Sequence, residues 1–107
     1  MGSFDEPQRI RVQVDPDLED LIPAFLENRH TDIATIRLAL ESGDYQRIFR
    51  VGHNLKGDSG ALGFTGLTDL GRDLERAAEQ LDGAEVRAQL ERLVDYLERV
   101  EIVRDGV

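Results

Sequence analysis

Apolar residues recur along most of this chain at intervals of three and four. The first series is Leu18, Leu21, Ile22, Phe25, Leu26, Ile33, Ile36 and Leu40, a helical period. Asp15 and Pro16 precede it and suit an N-cap followed by the first helical position. Pro23 falls inside the series, where it removes one backbone donor and crowds the preceding turn. A kink or break is therefore expected near residues 19–23. The helix then runs to about Ser42, and Gly43 closes it. Asp44 caps a second helix, striped by Tyr45, Ile48, Gly52, Leu55, Ser59 and Leu62, which Gly60, Gly63 and Gly66 end in a loop. Thr65 is the expected cap of a third, striped by Leu67, Leu70, Leu74, Ala77, Ala78 and Leu81. Gly71 and the alanines there allow a neighbouring helix to pack closely. Asp82 and Gly83 turn the chain, and Asp82 with Glu85 resembles a capping box. Val86, Leu90, Leu93, Leu97 and Val100 mark a fourth helix.

Ahead of the helices, residues 1–9 are polar, contain Pro7 and read as a flexible lead-in. Arg9 to Val14 alternates polar and apolar residues, the period of a strand. A lone strand does not persist by itself. An extended arm laid on the domain is the preferred reading; pairing with Val100–Val103, or with another copy of the chain, is the alternative. The fold expected is all-α: an antiparallel four-helix bundle with a kinked or broken N-terminal helix and an extended N-terminal arm. The arm takes residues 1–14 and the bundle residues 15–104.

Composition narrows the function. At 107 residues the chain fits one domain with a shallow core, built on Leu, Ile, Val and a few Phe because Trp is absent. There is no cysteine, so neither a disulfide framework nor a thiolate metal site is possible, which fits a reducing cytoplasm. The net charge of −9 argues against binding nucleic acid or an anionic membrane surface. No apolar run approaches the roughly 20 residues of a membrane helix. A monomer is expected.

The chemistry-bearing stretch is Val51 to Phe64. Lys56 and Gly57 follow His53 by three and four residues, so on a helix an imidazole, an ammonium and a bare patch of backbone share one surface. At about 100° per residue, His53 lies roughly a third of a turn from the buried stripe and should be exposed at mid-helix. Glycine inside a helix costs about 1 kcal/mol relative to alanine, so Gly52, Gly57 and Gly60 together need a reason. Gly52 falls on the buried stripe and suits core packing; Gly57 and Gly60 face the His53 side, where a missing side chain admits a partner. His30 lies off the stripes and reads as a solvated residue.

The run H-N-L-K-G-D-S-G-A-L-G-F resembles the signature of histidine-containing phosphotransfer (HPt) domains, H-x-L-K-G followed by small residues and a Gly. The flanking L-A-L-E-S-G-D-Y and D-L-G-R-D-L-E-R-A-A fit as well, so the resemblance spans about Asp17 to Val100. It implies that His53 is the phosphoacceptor and that Lys56 offsets the charge of the phosphoryl group. It implies too that Glu75, in Leu74-Glu75-Arg76-Ala77-Ala78, faces the histidine from the next helix. Gly57, Gly60 and Phe49 are assigned to the docking surface. The implied partners are a histidine kinase and a response-regulator receiver domain. No cofactor is expected on this chain; Mg²⁺ is expected on the receiver, and the chain is a carrier, not an enzyme. Two alternatives stay open: a helical interaction module that is not phosphorylated, and the phosphoacceptor module of a larger kinase.

Overall fold

The computed structural model describes residues 8–104. In order these form β1 (Ile10–Val14), a 3-10 helix (Pro16–Leu21), α1 (Ile22–Ser42), α2 (Tyr45–Leu62), α3 (Thr65–Glu79), α4 (Gly83–Arg99) and β2 (Val100–Arg104). Most of the lead-in expected to be flexible, residues 1–7, lies outside the described residues. The four helices pack as a bundle, α2 on α1 and α3, and α4 on α3 and α1.

Local chemistry sets most boundaries. The Asp15 carboxylate accepts from the Asp17 amide, and Pro16 opens the 3-10 helix. Backbone geometry changes from 3-10 to α between Leu21 and Ile22, just ahead of Pro23. Asp44 accepts from the Arg47 amide and Asp82 from the Glu85 amide, each satisfying one orphan donor of its helix. The Glu85 side chain does not complete the reciprocal box but accepts from Gln89 instead.

Five local expectations are corrected. Gly60 lies within α2 rather than in the loop after it, and Val100 opens β2 rather than continuing α4. The N-cap of α3 is Phe64, not Thr65. Phe64 is fully buried and its ring stacks on Phe25 at 4.8 Å, so core packing rather than a hydroxyl fixes this entry. Gly66 is not in the loop but in the first turn of α3, where a Cβ would lie 3.0 Å from the Tyr96 ring. Leu81 is not on the buried stripe: α3 stops at Glu79 and Leu81 is exposed.

The departure from an all-helical fold is a small sheet. β1 pairs with β2 in parallel, with Ile10 opposite Val100 and Val14 opposite Arg104. Pairing with the C-terminal segment thus prevails over an unpaired arm. Parallel strands need a long crossover, which here is the whole bundle. Val12 and Val14 are buried in the same core as Ile36, Leu67 and Leu93, which gives the sheet the packing it could not supply alone.

The crossing of α2 and α3 is unusually close. The two helices meet backbone to backbone at Gly52 and Gly71. A Cβ on Gly52 would lie 2.9 Å from the Gly71 carbonyl oxygen, and one on Gly71 would lie 2.7 Å from the Lys56 amide nitrogen. No larger residue fits either position without parting the helices. This close approach carries the next turn of α3 to the His53 face of α2.

Candidate functional site

His53 sits in the middle of α2 with its side chain 64% exposed. One turn after Gly71, α3 presents Glu75, whose side chain is only 10% exposed. Glu75 Oε2 lies 2.9 Å from His53 Nδ1, and Glu75 Oε1 accepts from Lys56 Nζ at 2.8 Å. Both carboxylate oxygens are therefore engaged by α2 side chains. Burial pushes the Glu75 carboxyl up, but the hydrogen bonds and charges of Lys56 and His53 outweigh burial and hold it below its ordinary value. Arg72 pairs with Asp69 and leaves Glu75 to this network.

The ionised state of Glu75 decides the histidine tautomer. A carboxylate has no proton to give, so in the contact with Glu75 the donor is His53 Nδ1–H. In the neutral ring the lone pair then belongs to Nε2, the distal nitrogen. Phe49, one turn earlier on α2 and half-buried, stacks nearly parallel to the imidazole, with centroids 6.3 Å apart and planes at 11°. The ring is thereby held on one side by a carboxylate and on another by an aromatic face.

Gly57 and Gly60 are exposed on the same side of α2. A Cβ at Gly57 would meet nothing within 4 Å, and one at Gly60 would meet only Thr68 Oγ1 at 3.8 Å. Packing within the chain does not require glycine at either position, unlike Gly52. The residues singled out from sequence thus come together: His53, Lys56 and Glu75 in one network, Phe49 against the ring, Gly57 and Gly60 on open surface beside it. His30 is exposed on α1.

Two features escaped sequence reading. Gly52 and Gly71 were each read as allowing close packing, but that they meet each other is a contact between helices that no local pattern announces. Arg29 is 4% exposed, with its guanidinium 4.7 Å from the Phe25 ring centroid, 2.8 Å from Asp32 and 3.8 Å from Asp58. The i,i+3 spacing of Arg29 and Asp32 was the available signal, but it looks the same on a solvated face. Burial raises the Asp32 carboxyl against the opposing pull of Arg29. A depression of about 390 Å³ between α1 and α4, lined by residues such as Arg37, Leu90 and Val94, holds none of the candidate residues. Among the described residues no helix is long and apolar enough to cross a membrane.

No curated protein and no solved structure matches the chain. The family model of the Hpt domain matches residues 20–101, a span that holds His53, Lys56, Glu75 and all four helices. With that match over most of its length and with an exposed histidine oriented by a buried carboxylate, the chain belongs to the Hpt domain family.

Proposed function

We propose that this chain carries a phosphoryl group on His53 Nε2, taking it from a histidine kinase or a receiver aspartate and yielding it to a receiver aspartate. Phosphotransfer in two-component signalling is the function its family implies. The observation that carries the reading to particular atoms is the placement of Glu75 between His53 Nδ1 and Lys56 Nζ. With the proton on Nδ1, the Nε2 lone pair attacks the phosphorus of an aspartyl phosphate. The N–P bond forms as the acyl P–O bond breaks, and the aspartate leaves as a carboxylate. The ring keeps its Nδ1 proton and gains a positive charge, which faces Glu75. Lys56 donates one N–H to Glu75 and has two left for phosphoryl oxygens.

Gly57, Gly60 and Phe49 form the surface on which the partner settles. Phosphoryl transfer needs Mg²⁺ and charge stabilisation. The sequence has no nucleotide-binding glycine loop and no cluster of metal-binding carboxylates, so in this reading the partner supplies the Mg²⁺, Lys56 and Glu75 add to the charge stabilisation, and this chain acts as carrier rather than enzyme. We place it in the cytoplasm as a monomer. Connections as short as Gly43–Asp44 and Gly63–Phe64 favour helices that run antiparallel, which keeps α2 and α3 side by side along the site.

The test is incubation with a receiver domain carrying labelled aspartyl phosphate. The wild-type chain takes up label that is acid-labile and stable in base, as a phosphoramidate is. His53→Gln takes up none while keeping its helical circular-dichroism signal, since an exposed side chain contributes little to stability. Undiminished label on His53→Gln overturns the reading. A stable complex with no label makes the chain an interaction module instead.

A further inference from the structure

The face of α2 that carries His53 differs in charge from the chain as a whole. Between Tyr45 and Gly57 there are three cations, Arg47, Arg50 and Lys56, and no carboxylate, in a chain of net charge −9. Lys56 is engaged with Glu75. Arg47 and Arg50 are exposed, and neither is in an ion pair with a described residue. Arg11, Arg29, Arg72, Arg92 and Arg99 each have a carboxylate partner. Arg9, Arg37, Arg76 and Arg87 have none among the described residues either, but of these unpaired arginines only Arg47 and Arg50 lie on the helix that carries His53. At about 100° per residue, Arg50 and Lys56 flank His53 at roughly 60° on opposite sides. Lys56 is on the flank that Glu75 covers, and Arg50 is on the open one. Arg47 lies farther round the same open side.

We propose that Arg50, assisted by Arg47, is the docking contact that selects a partner whose phosphoryl-bearing cavity is rimmed by carboxylates. This rests on the carrier reading and specifies the partner for the same site. The partner's chemistry follows from the reaction: Mg²⁺ in a phosphoryl-transfer site is held by carboxylates, so the mouth of that site is acidic. A chain of net charge −9 is repelled by such a surface at a distance. A locally positive face reverses the sign where contact is made, and it turns His53 rather than another side of the bundle towards the phosphoryl group. Because the two guanidinium groups have no carboxylate partner among the described residues, docking there breaks no such pair. Both are solvated charges, so their effect is on encounter and weakens as salt screens it.

The test compares transfer from a phosphorylated receiver with direct labelling by phosphoramidate, a small donor that has no docking face. The receiver is the one from the source genome that labels the wild-type chain fastest after treatment with acetyl phosphate. Arg50→Glu, Arg50→Gln and Arg47→Glu are measured in low salt and at about 0.5 M, where the screening length is only a few ångströms. The ratio of receiver rate to phosphoramidate rate falls on the order of tenfold for Arg50→Glu in low salt, and by less for the other two. The difference collapses in high salt. Receiver rates equal to wild type in low salt overturn the docking contact and leave the carrier reading standing. A deficit undiminished in high salt overturns it as well, because the contact is then not electrostatic. A wild-type chain that neither donor labels overturns the carrier reading itself, and this inference with it.

Discussion

Glu75 holds the site together because it is nearly buried and still ionised. Both of its oxygens are occupied by donors from α2, so the charge that burial penalises is compensated in place. A hydrogen bond to a charged group is worth about 1.5–3 kcal/mol, so losing the one that faces the phosphorylated ring should slow transfer by roughly 10- to 100-fold. Glu75→Ala is expected to show that loss with the bundle intact. Glu75→Gln should fall between it and wild type: its amide oxygen still accepts from Nδ1–H, but its amide group meets Lys56 without a charge. Nitrogen chemical shifts of the imidazole read the tautomer directly, with His30 as the internal control. A His53 tautomer unchanged in Glu75→Ala would rule the pairing out. The pH dependence follows from the same group. Its folded-state pKa lies below the ordinary 4.5, so its ionisation adds stability above that pH, and the gain is lost as pH falls through the lowered value. Titration of the Glu75 carboxyl carbon should accordingly give a midpoint below 4.5.

Three helices in this chain end in the same way, and the third uses a residue poorly suited to it. At the end of α1 the Asp44 amide reaches back to the Ala39 carbonyl around Gly43, whose φ is +70°. At the end of α2 the Phe64 amide reaches the Ser59 carbonyl around Gly63, at φ +88°. After α3 the Asp82 amide reaches the Ala77 carbonyl around Leu81, at φ +54°. The left-handed conformation costs a residue with a Cβ about 1–2 kcal/mol, and Leu81 is exposed and recovers little by packing. Leu81→Gly is therefore expected to stabilise the protein by up to about 1 kcal/mol, after allowing for the extra freedom glycine gives the unfolded chain. Urea denaturation measures it, and a loss of stability would show that Leu81 makes contacts that outweigh its backbone. This helix end also marks the limit of legibility in the sequence. The leucine continues the helical period, so the periodicity extends the stripe one turn too far. Caps at Asp15, Asp44 and Asp82 were legible because each depends on a side chain bonding an amide two or three residues away. His53, Lys56 and Gly57 were legible for the same reason, being neighbours on one helix. The approach of Gly71 to Gly52 was not, because its cause lies on another helix, and neither was the burial of Arg29 between Phe25 and Asp58. Glu75 was placed by family resemblance, because the residue it faces lies on another helix.

At the scale of the whole molecule, the strands at the two ends of the described chain are part of the core. The Hpt family match begins at residue 20, so β1 lies wholly outside it. Even so, Val14 is 3% exposed, and Ile10, Val100 and Ile102 pack against the same buried cluster. Sequence showed the alternation of β1 and offered Val100–Val103 as one possible partner, but it could not choose that pairing over an unpaired arm, since five residues of period two carry no register and the pairing spans the length of the bundle. A two-stranded sheet does not hold by itself in water, so it should form and melt with the helices rather than as a separate unit. Val14→Ala removes two buried methyl groups and leaves a small cavity, for an expected loss of about 1–2 kcal/mol across a single cooperative transition. Circular dichroism in urea gives the stability. Hydrogen exchange gives the coupling: amides of β1 and β2 that bond across the pair should open with the same free energy as those of α2 and α3, and should fall with them in the variant. Strand amides that exchange freely while the helices stay protected, with Val14→Ala as stable as wild type, would make β1 an arm resting on the bundle and not a member of it.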